Sequence, residues 1–180
     1  MRMIVLILAV FVASGCTVGL PGETMQTVSE FDSAKEIRME PAWACSGFDC
    51  RIKLGFYRTS RMDSNKVVII AEVVSSARVE NPVFAAGKSL HFKIDSQVYS
   101  FESDGSYNKK QGYSQYGGFY TVDSQQYSTT RDFLKTLMDG KRVVVKVDLV
   151  GSKYVEGVFP DGGFTTVRPG LAIFYKQAFE

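Results

Sequence analysis

Charge of one sign, histidine and long apolar runs are all scarce in this chain, and each scarcity removes a class of function. Twenty-one Lys and Arg stand against 19 Asp and Glu, so no field of one sign exists to hold nucleic acid. One histidine, His91, serves the whole chain, and no Gly-x-Ser-x-Gly elbow accompanies it. Asp63-Ser64-Asn65 and Asp104-Gly105 lack the repeated oxygen ligands of a calcium loop. Gly87-Lys88-Ser89 has the tail of a phosphate loop without its upstream glycine, and reads as a turn. No solenoid period is present. The short likeness of Gly117–Val122 to Gly162–Val167 is explained equally well by a recurring Gly-Gly turn feeding a strand. These absences leave no catalytic set and no cofactor to expect.

The N-terminal apolar run, Ile4 to Ala13, is ten residues long, about half of the roughly 20 needed to span a bilayer. Arg2 precedes it and Ala13-Ser14-Gly15 closes it, the make-up of a secretory signal peptide. Ala13, Ser14, Gly15 and Cys16 together resemble the lipobox of bacterial lipoproteins, with Ala13 where that family usually carries leucine. The resemblance implies cleavage between Gly15 and Cys16 and a diacylglyceryl group on the Cys16 sulfur. Several acyl chains together give stable anchoring to a membrane. Thr17, rather than Asp, follows the cysteine; in enteric-type bacteria this implies the outer membrane, with the body facing the periplasm. The expected organisation is a signal peptide over 1–15, a lipidated tether over 16–35 and one β-rich domain over 36–180.

With Cys16 assigned to lipid, Cys45 and Cys50 are left as a pair in an oxidising compartment. Four residues, Ser46 to Asp49, separate them and read as a turn, so a disulfide there staples a hairpin end. Closing so short a loop stabilises the fold by about 2 kcal/mol. A metal centre is a poor alternative, because one His and no third free Cys remain. Trp43-Ala44-Cys45 with Cys50 resembles secreted proteins of the invasion-associated locus B type, which are β-sandwiches. The remaining motif cysteines of that family are absent here, and no residue role is carried over.

Period-two patterns dominate from Glu36 onward. Cys50, Ile52, Leu54 and Phe56 alternate with Arg51, Lys53, Gly55 and Tyr57, and Val67 to Val74 reads as a central strand interrupted only by Glu72. A two-residue loop at Asp95-Ser96 pairs Ile94 with Gln97, Phe92 with Tyr99 and Leu90 with Phe101, which puts the large side chains on one face. Val143, Val145, Val147 and Leu149 share a face of a further strand, and Tyr154–Phe159 and Leu171–Phe179 are two more candidates. Phe133, Leu134, Leu137 and Met138 form a helical stripe after a capping Ser128, Thr129 or Thr130, and Gly140 supplies the stop. A second, short helix within Glu23 to Lys35 is suggested by Met25, Val28 and Phe31. The predicted fold is mainly β: an antiparallel β-sandwich or open barrel of about seven or eight strands, with one short helix near 129–139.

Alternation turns His91 outward beside Lys93, the position of a surface residue rather than a base. Glu72 is either a buried acid with a raised pKa or an edge-of-core residue paired with Arg or Lys. No second carboxylate is tied to it by the spacing a glycosidase needs. The strongest binding feature is the polar, glycine-rich stretch Asp104 to Tyr120, which carries Tyr107, Tyr113, Tyr116 and Tyr120 with Lys109 and Lys110. Tyrosines on such a loop give large amphipathic contacts at low entropy cost, unless they fold back on the domain. The expected function is a non-enzymatic envelope lipoprotein that binds a protein partner, in assembly or support of an envelope complex. A glycan-binding module using the same tyrosines, and a hydrolase with unrecognised carboxylates, are the alternatives.

Overall fold

The computed structural model describes residues 22–46, 50–75, 81–115, 118–160 and 166–180, and for 104–115 and 118–119 it describes the backbone only. Cys16 and Tyr116 lie outside the described residues, as do the side chains of Tyr107 and Tyr113.

The fold is mainly β, with one antiparallel sheet that does not close on itself. Its strands are β1 (Thr24–Val28), β2 (Lys35–Trp43), β3 (Ile52–Thr59), β4 (Lys66–Val74), β5 (Lys88–Ile94), β6 (Gln97–Gln115), β7 (Gly118–Thr130), β8 (Val143–Leu149) and β9 (Lys153–Val158). The spatial order is β1-β2-β3-β4-β7-β6-β5-β8-β9. Helix α1 (Arg131–Asp139) joins β7 to β8, and helix α2 (Val167–Phe179) follows β9. Nine strands and two helices are therefore described, against the seven or eight strands and one helix expected.

One face of each half of the sheet forms the core. Met39, Leu54, Phe56 and Ile69 come from one half, and Leu90, Phe92, Val145 and Val147 from the other; all are fully buried. The two halves meet at β6, which gives its first part to β5 and its later part to β7, with a register shift between Ser103 and Asn108. That shift turns the sheet and brings β9 round to the far end of β2. There the Cys45–Cys50 disulfide, with Cα atoms 5.3 Å apart, packs against Gly157, where a Cβ would stand 2.3 Å from Cys45 Cβ.

The β5–β6 hairpin has the predicted register: Ile94 opposite Gln97, Phe92 opposite Tyr99, and Leu90 opposite Phe101. Asp95 takes a left-handed φ of 53° in its tight turn, a conformation Asp tolerates better than most residues. Helix α1 starts as expected, with Thr130 Oγ1 accepting from Phe133 N at 3.2 Å. It also stops at Gly140 as expected, though without the left-handed cap that glycine usually supplies. Gly140 has an ordinary φ of −61° and is needed for space, because a Cβ there would stand 2.5 Å from Ile94 Cγ2.

Two expected elements change type. The stretch read as a strand over Leu171–Phe179 is part of α2, whose buried Val167, Leu171, Phe174 and Tyr175 recur at helical spacing. The stretch read as tether or helix near Glu23–Lys35 holds β1 and a tight turn. Hydrogen bonds to β2 override the weak helical spacing, since a helix this short has little stability of its own. The folded body thus begins at least by Thr24, inside the expected tether.

Candidate functional site

The tyrosine-rich stretch read as a loop is instead a two-stranded ribbon. The β6–β7 ladder runs from Asn108 opposite Gln125 to Gln115 opposite Gly118, and places Tyr113 directly opposite Tyr120. On one side, β4 pairs with β7 only as far as Val122. On the other, β5 pairs with β6 only as far as Glu102. Ser75, just past β4, still bonds both backbone groups of Thr121. Among the described residues the last three rungs, Tyr113 to Gln115 with Gly118 to Tyr120, therefore run past the neighbouring strands by about 10 Å. Among the described residues, the Asn108–Gln115 edge of β6 has no strand on its other side. Such an edge presents backbone donors and acceptors to an incoming chain.

Glu72 is half-buried on the face of β4 away from the core, between Lys53 on β3 and Ser124 on β7. Ser124 Oγ donates to its Oε1 at 3.2 Å. Burial pushes its pKa up, while Lys53 and the Ser124 hydrogen bond partly offset the rise. Glu40 also repels it, but that second acid is bridged to Arg38 at 2.9 Å. Both readings from the sequence hold in part: the acid is shifted upward, and it has a lysine neighbour.

His91 does face outward, yet it has the partners that sequence reasoning could not place. Its Nδ1 lies 2.8 Å from Ser100 Oγ on β6, and its Nε2 lies 2.9 Å from Asp148 Oδ2 on β8. Lys146 Nζ holds the other oxygen of Asp148 at 2.8 Å. Partial burial opposes ionisation of Asp148, but the hydrogen bonds from Lys146 and His91 outweigh it and hold the carboxyl below its usual range. An ionised Asp148 can only accept, so Nε2–H donates to it; with a neutral imidazole, Nδ1 would then accept from the Ser100 hydroxyl. A hydrolase also needs a donor for the developing oxyanion, and the cation of the set points elsewhere: Lys146 lies 5.0 Å from the Tyr154 ring. The cross-strand pairing of His91 with Ser100 follows from hairpin register, but Lys146 and Asp148 reach it only through the pairing of β5 with β8, and no local pattern announces that.

Beside this set lies an open cleft of about 500 Å³. Lys146 and Asp148 line it from β8, Tyr154 from β9, and Ala85 and Ala86 from the segment ahead of β5. That segment is fixed along the end of β8 by Ala85 N to Asp148 O and Val150 N to Val83 O, both 2.9 Å.

A buried polar tract runs along the core face of β7. Asp123 Oδ2 accepts from Phe84 N at 3.1 Å, Gln125 Nε2 donates to Ser103 Oγ, and Tyr127 OH bonds Ser89 Oγ at 2.8 Å. Burial pushes the Tyr127 phenol well above its ordinary range. Each bond crosses to a different segment, so the tract fixes how β7, β6 and the approach to β5 meet.

No family model matches the chain, and no curated protein or solved structure is significantly similar to it. The candidate sites rest on geometry alone. Among the described residues, no three His, Cys, Asp or Glu side chains gather as a metal ion would need, and no helix is long and apolar enough to cross a membrane.

Proposed function

We propose that this chain is a non-enzymatic, lipid-anchored protein of the cell envelope that binds a protein partner through the β6–β7 ribbon. The observation that carries the reading is the ribbon itself. It carries much of the tyrosine-rich stretch, and among the described residues the Asn108–Gln115 edge of β6 has no strand on its other side, which suits an extended segment of a partner. The Cys16 lipobox resemblance supplies the anchor and the compartment, and assembly or support of an envelope complex is the role that fits both.

The test exchanges Tyr107, Tyr113, Tyr116 and Tyr120 for Ser in the full-length chain and compares co-isolated envelope proteins after crosslinking. Loss of a specific partner, with Tm unchanged within a few degrees, is the expected result. A partner retained by the fourfold variant removes the ribbon from the account.

A further inference from the structure

We infer that the outward face of α2 rests on the lipid surface, with Ile173 as its central apolar contact. The inference rests on the Cys16 anchor proposed above, and it uses a different surface from the β6–β7 ribbon. The length of the tether limits what can touch the membrane. The body is fixed from Gly22 onward, where the Gly22 N donates to Glu40 O at 3.1 Å and Glu40 N to Glu23 O at 2.9 Å. Only Thr17 to Pro21 separate Gly22 from Cys16, so the two stand within about 20 Å even with the link fully extended. A body of about 160 residues is roughly 40 Å across, from a radius of gyration of about 15 Å. The tether therefore brings the surface around Gly22 to the bilayer and keeps the opposite side away from it.

Helix α2 is the element at that point. A Cβ on Gly170 would stand 2.5 Å from Gly22 O, and Thr24 Oγ1 donates to Gly170 O at 3.4 Å. Val167, Gly170, Leu171, Phe174 and Tyr175 are buried, which turns Pro169, Ala172, Ile173 and Lys176 outward at helical spacing. Ile173 is 51 % exposed and lies about one turn beyond Gly170. No acid occurs within α2, and Lys176 can lay its stem along the surface with its ammonium at the phosphates. Helix α1 makes the contrast, since it turns Arg131, Asp132, Lys135 and Asp139 outward, a face suited to water. Among the described residues the most exposed large apolar side chain is Phe31, at 99 %. It lies past the far end of β1, whose five residues carry the chain about 17 Å from the root of the tether.

The experiment places the processed, lipid-bearing protein in vesicles of phosphatidylethanolamine and phosphatidylglycerol. A small share of the phospholipid carries a photoreactive diazirine in its acyl chain, and mass spectrometry after irradiation maps the adducts. Adducts within residues 169–177 are expected, and none at Phe31. Ile173→Glu should reduce them about fivefold, because the apolar contact is replaced by a charge, while the protein still floats with the vesicles and keeps its Tm. A floating protein whose adducts miss α2, or are unchanged by Ile173→Glu, overturns the inference and leaves the anchor standing. Mature protein without acyl chains on Cys16 removes the anchor and the inference together. Neither result bears on the ribbon, whose test reads a protein partner.

Discussion

At the scale of single residues, Glu72 and Gly157 make opposite demands on the fold. Burial raises the Glu72 pKa above that of the unfolded chain. The native state therefore holds its proton to higher pH than the unfolded state, and stability falls as pH rises through that window. At neutral pH the carboxylate is a net cost. Glu72→Gln should raise Tm by a few degrees at pH 7, and the gain should vanish near pH 4, where the acid is protonated in both states; thermal melts at the two pH values check this. Gly157 works by size, since any Cβ there meets the Cys45 side chain. Gly157→Ala should lower stability by about 1–3 kcal/mol, read from denaturant midpoints. Of these residues, Glu72 stood out in the sequence because it breaks an apolar run. The role of Gly157 was invisible, because its neighbour lies more than a hundred residues away along the chain.

Elements were legible where pattern and partner were both local. The β5–β6 register followed from matching large side chains across two turn residues, and the α1 stripe and cap followed from spacing. Elements defined by distant partners were not. β1 exists because β2 lies beside it. The register of β7 is held by Asp123, Gln125 and Tyr127, whose core face is too polar to read as a strand face. Leu171–Phe179 alone reads as a strand because Val167, the first buried residue of α2, lies ahead of it. The Cys45–Cys50 staple belongs to this scale too, since it closes the β2–β3 connection where β9 packs. Replacing both cysteines by Ser should cost about 2 kcal/mol. A denaturant titration of the double variant against the oxidised protein measures it, and an unchanged midpoint contradicts a structural role.

Across the whole molecule, the turn of the sheet at β6 sets out the candidate surfaces. It closes the core on one side and directs the far half of β6, with β7, outward as the ribbon. The same turn places β5, β8 and β9 together, so that His91, Asp148 and Tyr154 share one outer face. The sequence marked the tyrosines as a surface feature but not their form, because a glycine-rich polar stretch carries no period-two signal. It marked His91 as exposed, and the hairpin register sets Ser100 opposite it, but Asp148 was not legible, because it reaches His91 only through sheet order.

The central claim is that the ribbon binds a protein, and its most direct test is in-cell crosslinking from a photoreactive residue at position 113, followed by mass spectrometry of the adducts. One specific envelope protein, captured reproducibly, is the result the account predicts. Glycan adducts alone, or none at all, would contradict it and move the search for a partner surface to the opposite face of the domain.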